Sequence, residues 1–215
     1  MAERIMPTPY RFDEVGSVPA QPGLYAWYHQ FTLSRADVNM LAVDLQQDKT
    51  NAPLIAEQFL RDHFFGPYQE ANYRVEMRGP LKPEYSGEVA HKLRLSELVL
   101  NQATKSPQSL NDIGDLLSRS APFFSSPIYI GVAKTSLRDR LRTHRRLLEE
   151  YREREGAPPT EQDVDHSFAY DAVCVRRLIP ADLIVYVMPV EFPPEVAQAT
   201  EYILNRINFP LCGRN

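Results

Sequence analysis

Short β-prone runs and longer stretches with helical periodicity divide this chain into recognisable pieces. PAQPGLYAWYH (19–29) is a Pro-Gly break followed by an aromatic, β-prone run, and predicts a strand. PIYIGVA (127–133) and LIVYVMPV (183–190) predict two more strands, and the β-branched and aromatic run FAYDAVCVRRL (168–178) tilts toward a fourth. After the second strand, Ser136 caps a long helix running to about Arg154, where GAPPTEQD breaks it. PPEVAQATEYILNRIN (193–208) predicts the last helix, opened by proline and stopped before Pro210.

The texture between Phe31 and Ser126 is different. SRADVNMLAVDLQQDK begins with a serine cap and carries apolar residues at helical spacing. PLIAEQFLRDHFF, VAHKLRLSELVLNQATK and SLNDIGDLLSRS predict further helices. Between the second and third of these four segments, GPYQEANYRVEMRGPLKPEYSG is rich in Gly and Pro and predicts a loop. The middle is close to charge balance and holds no recognisable helix-turn-helix or zinc module.

On the long helix, Leu137, Leu141, Leu148 and Tyr151 form one apolar stripe. His144 lies within it, and Arg140 sits at its border one turn earlier. Arg138, Arg142, Arg145 and Arg146 point elsewhere and are expected to be wet. On the last helix, Val196, Ala199, Ile203 and Ile207 form the stripe, and Glu201 falls outside it near Leu204 and Asn208.

Charge sharpens the picture. The chain has 24 basic and 28 acidic residues, a formal net charge of −4. The stretch from Lys134 to Arg154 is nevertheless net basic, so any polyanion partner meets one local face and not a global basic coat. No run approaches the roughly 18 apolar residues of a membrane span, and the N-terminal sequence lacks signal- or transit-peptide character. Cys174 and Cys212 have no metal-binding spacing and read as small buried hydrophobes. A cytoplasmic protein without a membrane partner is expected.

GLY (23–25), YIG (129–131) and LRDRLRTH (137–144), with EYILNRINFPLCGRN (201–215) at the end, together resemble the signature of the GIY-YIG nucleases. In that family two short strands end in the signature tripeptides, a helix carries a catalytic arginine with a histidine or tyrosine four residues later, and a later helix supplies a metal-binding glutamate. The resemblance implies an α/β (α+β) fold: a small, mainly antiparallel sheet flanked by helices. One nuclease domain would span 1–215, with a mostly helical insertion at 31–126 after the first strand. Family members join the two tripeptides by a short connection, whereas Tyr25 and Tyr129 here are more than a hundred residues apart.

By resemblance the catalytic residues are Tyr25, Tyr129, Arg140, His144 and Glu201, supported by Lys134 and by Asn215 as the downstream asparagine. Arg138, Arg142, Arg145 and Arg146 would contact DNA. Glu201 would hold a single Mg²⁺ or Mn²⁺, since a hard oxygen ligand suits either ion and no cluster of acids supports a two-metal site. Arg140 would clamp phosphate oxygens. Tyr25 would position the attacking water and act as its base, a nearby cation lowering a phenol pKa that is ordinarily about 10. Tyr129 and His144 would orient water or phosphate.

The implied activity is metal-dependent hydrolysis of DNA phosphodiesters by an endonuclease, with restriction or phage defence the expected setting. A structure-specific repair or recombination nuclease, and a non-catalytic nucleic-acid-binding protein on the same scaffold, stay open. So does a homodimer.

Overall fold

The computed structural model describes residues 6–69, 73–79, 82–90, 95–154 and 168–212. The chain divides into two compact units: 1–33 together with 111–215, and 34–110. The second unit is narrower than the expected 31–126 insertion, because residues from 111 onward pack with the first.

The first unit is built on a four-stranded sheet in the order β1-β6-β2-β5. Its strands are β1 (Thr8–Arg11), β2 (Gly23–His29), β5 (Tyr129–Ala133) and β6 (Leu183–Pro189). Every neighbouring pair is antiparallel. The sheet is flanked by helices, as the α/β (α+β) reading anticipates. Strand β1 went unpredicted: TPYR is too short for a period-two pattern to show. The residues just before strand β2 serve the helix that follows β5. The Pro19 and Gln21 carbonyls accept from the Arg138 and Leu137 N–H groups, at 3.3 and 2.8 Å, and so satisfy orphan donors at a helix start.

That helix, α5 (Leu137–Glu153), matches its expected span. The Ser136 side chain accepts from Asp139 N at 3.2 Å. Its stripe is buried as its spacing requires: Leu137, Leu141 and Leu148 are fully enclosed, packing with Val15, Val18, Trp27, Val173, Val185 and Val187. The segment expected as a fourth strand is helical instead. It forms α6 (Phe168–Tyr170) and a widened turn over Asp171–Val175. Phe168, Ala169, Ala172 and Val173 are the buried positions, a helical spacing that outweighs local β propensity.

Helix α7 (Pro194–Asn208) overturns its pattern. Val196, Ile203 and Ile207 are exposed at 48%, 55% and 66%, and Ala199 is exposed too. The face packed on β5 and β2 carries Ala197, Glu201 and Leu204 instead. Phe209, preceding Pro210, closes the helix in the left-handed region at φ 47°. The chain is then fastened to the entry of β5: Leu211 N donates to Pro127 O at 3.1 Å and Cys212 N to Ile128 O at 2.8 Å.

The second unit contains α1 (Arg35–Gln47), α2 (Ala52–Leu60), β3 (Tyr73–Gly79), β4 (Lys82–Val89) and α3 (Glu97–Lys105). Ser34 caps α1 as expected, with Asp37 completing a reciprocal box. The expected Gly/Pro loop is a correction: it holds the β3–β4 hairpin, signalled by the alternation of Tyr73, Val75 and Met77. The helix expected to start near residue 89 is shorter, since Val89 belongs to β4 and Ser96 caps α3. Helix α4 (Pro107–Phe124) extends SLNDIGDLLSRS at both ends. No helix among the described residues is long and apolar enough to cross a membrane.

Candidate active site

Strands β2 and β5 pair so that Tyr25 stands opposite Gly131 and Trp27 opposite Tyr129. The two tripeptides are thus joined in register despite their separation in sequence. Gly131 explains its own identity. A Cβ there would fall 2.5 Å from Tyr25 Cζ and 2.8 Å from Tyr129 Cε1, so the Tyr25 phenol occupies the space a side chain would need.

Around that phenol the expected residues gather. Arg140 Nε donates to the Tyr25 hydroxyl at 3.3 Å, and the Tyr129 hydroxyl lies near enough to influence the guanidinium. The Tyr25 oxygen and His144 Nε2 are 3.4 Å apart. On its other side, His144 Nδ1 accepts from Trp27 Nε1 at 3.3 Å. The Tyr25 and Tyr129 ring centroids are 6.1 Å apart, and each stands edge-on to the His144 ring. Glu201, reaching in from α7, lies near the Val132 main-chain N–H and feels the positive charges of Arg140 and Lys134. An open groove of about 440 Å³ adjoins them, lined by Lys134, Ser136, Asp139, Arg140 and Thr143. Tyr25, Tyr129, Arg140, His144, Glu201 and Lys134 therefore come together. Asn215 lies outside the described residues.

Electrostatics corrects one expectation. Burial pushes the Tyr25 hydroxyl well above its ordinary pKa; neighbouring Tyr129 adds to the rise, and the Arg140 hydrogen bond and charge offset only part of it. Tyr25 therefore carries its proton at neutral pH, contrary to a cation-lowered phenol. Burial, assisted by Arg140, holds His144 neutral, with its pKa lowered to about 3. The Glu201 carboxyl is pushed up by burial, although Arg140, the Val132 N–H and Lys134 all favour its charged form.

The four other arginines are not uniformly wet. Arg138 Nε donates to Val18 O at 2.8 Å. Arg145 donates to Glu149 and to Asp13 O, with its guanidinium over the Phe12 ring. Arg142 and Arg146 are exposed as expected, Arg146 lying 3.7 Å from Glu150. Of the two cysteines, Cys212 is buried but Cys174 is only partly so.

Trp27 is the site residue that sequence reasoning missed. Its period-two relation to Tyr25 was visible, and a donor-only indole on the same strand face was the available signal.

A hard divalent cation fits the donor set. Glu201 is a partly buried carboxylate whose burial disfavours its own charge, and among the described residues no group of three or more acids, histidines or cysteines is gathered. A hard divalent cation at this carboxylate would take its remaining oxygens from water and substrate. Comparison with protein-family models, curated proteins and solved structures gives no match.

Proposed function

We propose that this protein is a metal-dependent endonuclease of the GIY-YIG type that hydrolyses phosphodiester bonds in DNA. The observation that supports the reading is convergence. Tyr25, Tyr129, Arg140 and Glu201 come from four elements, β2, β5, α5 and α7, and meet where each has a role in that chemistry.

Arg140 is the phosphate clamp. A guanidinium has five N–H donors, and its bond to Tyr25 uses one and leaves the others for phosphate oxygens. Its permanent charge compensates the negative charge that builds up on phosphorus oxygens in the transition state. Lys134 adds a second cation at the groove, and exposed Arg142 and Arg146 extend the basic face along the backbone.

Glu201 would hold one Mg²⁺ or Mn²⁺. When bound, such an ion supplies Lewis-acid stabilisation of the phosphate and leaving oxygen. Tyr25, protonated and pinned by its neighbours, orients the attacking water through its hydroxyl. Loss of its proton needs alkaline conditions, because burial raises its pKa. Tyr129 lies near the arginine, and His144 braces Tyr25.

Restriction or phage defence in the cytoplasm is the setting we favour by analogy of fold type. Incubating the purified chain with duplex, branched and single-stranded DNA in Mg²⁺ tests the reading. Discrete cleavage of plain duplex is expected. Cutting only branched DNA would turn the assignment to a repair nuclease, and binding without cutting in either Mg²⁺ or Mn²⁺ would overturn it.

A further inference from the structure

We propose that Trp27 is a positioning residue that fixes His144 as the Nε2–H tautomer, making His144 a donor to Tyr25 and barring it from taking the Tyr25 proton. An indole N–H can only donate. Trp27 Nε1 is aimed at His144 Nδ1 at 3.3 Å, so that nitrogen must present its lone pair. A neutral imidazole carries one proton, which is left to Nε2. Nε2 faces the Tyr25 oxygen at 3.4 Å. The ring is neutral because it is 5% exposed and lies near the Arg140 cation.

The indole is well held for this duty. It is fully buried, stacks on Phe168 at 6.0 Å and meets Phe12 at 6.3 Å. Phe168 also packs on the His144 and Tyr129 rings, so one apolar wedge steadies both.

Two N–H groups then converge on one phenol oxygen: His144 Nε2–H, and Arg140 Nε–H at 3.3 Å. Both approaches are taken by donors, so the hydroxyl hydrogen is directed to neither neighbour. It remains for an acceptor brought by substrate or its water. On the nuclease reading, on which this consequence rests, the same two donors stabilise negative charge on the Tyr25 oxygen as its proton moves outward. The tautomer itself does not depend on that reading.

Imidazole ¹⁵N NMR of the full chain tests the proposal, with the His144 resonances assigned by their loss in His144→Gln. The wild type is expected to show Nδ1 unprotonated and Nε2 protonated. Trp27→Phe keeps the aromatic packing and removes the donor. It is expected to mix the two tautomers and, on the nuclease reading, to lower kcat about tenfold with little change in KM. A protonated Nδ1 in the wild type would overturn the proposal, and so would a folded Trp27→Phe protein with an unmixed Nε2–H tautomer. Should Trp27→Phe not fold, the wild-type spectrum alone decides. A wild type that cuts no DNA yet shows Nε2–H refutes the nuclease reading and leaves the tautomer assignment standing.

Discussion

Helices α5 and α7 both flank the same sheet, yet they obey different rules. Helix α5 buries the stripe its sequence offers, with Leu137, Leu141 and Leu148 in the core. Helix α7 turns its best apolar stripe outward and packs a face containing a glutamate. Burying a Val or Ile side chain contributes about 1.5–3 kcal/mol, so α7 forgoes stabilisation that a rotation about its axis would recover. Local and directional contacts help to hold it: the capped, left-handed end at Phe209 and the two main-chain bonds that follow. The contrast separates a helix that buries its apolar stripe from one that turns a carboxylate, near enough to feel the Arg140 charge, toward the sheet.

The largest difference should appear in the core of α5. Leu141→Ala is expected to destabilise the fold by about 2–5 kcal/mol, measured by denaturant unfolding. A loss under about 1 kcal/mol would mean that α5 is not the core helix described.

Next comes acid. The folded state holds His144 and His29 at about 3 and 4, below the ordinary 6.5, mainly through burial. Below about pH 6.5 the unfolded chain takes up protons that the fold refuses. Stability is therefore complete above that pH and falls as pH drops toward 4 and 3, by a few kcal/mol in all. Unfolding midpoints compared at pH 7 and 4.5 check this. Midpoints that coincide would show that the two imidazoles ionise within the fold.

A smaller effect is expected at the junction of the two helices. Arg140→Lys keeps the charge but loses the planar fork, one N–H of which donates to Tyr25. Turnover should fall about tenfold or more, about 1.4 kcal/mol. Arg142→Ala, on the exposed side, should weaken DNA binding and flatten its salt dependence with turnover at saturation preserved. Identical behaviour of the two variants would reduce α5 to a charge patch.

The smallest effect belongs to the outward stripe of α7. Ile203→Ala should shift unfolding free energy by no more than about 0.5 kcal/mol. A loss near that of Leu141→Ala would mean that this face is covered in solution, and the contrast between the helices would vanish.

Much of this was legible in residue order. The β2, β5 and β6 strands and the span of α5 follow from turn residues, β-branched runs and one serine cap. The set Tyr25, Tyr129, Arg140, His144 and Glu201 followed from resemblance, and the pairing of Tyr25 with Gly131 brings its first two elements together. Other features needed three dimensions. The periodicity of α7 gives the wrong inward face, because the helix packs on β5 and β2 through Ala197, Glu201 and Leu204 and not through Val196, Ile203 and Ile207. FAYDAVCVRRL carries strand-type residues at helical burial spacing, so composition and periodicity conflict there. Even the rise in the Tyr25 pKa is invisible in sequence, since it depends on how completely β2, β5 and α5 enclose the ring.

Glu201→Gln tests the central claim most directly, because it changes one oxygen to nitrogen on the inward face of α7. Mg²⁺-dependent cleavage of duplex DNA and equilibrium DNA binding should be measured on the same preparation. Cleavage is expected to disappear while the unfolding midpoint and DNA affinity stay close to wild type, since the carboxylate serves the metal and the arginines serve the backbone. Undiminished Mg²⁺-dependent cleavage by the folded variant would contradict the account.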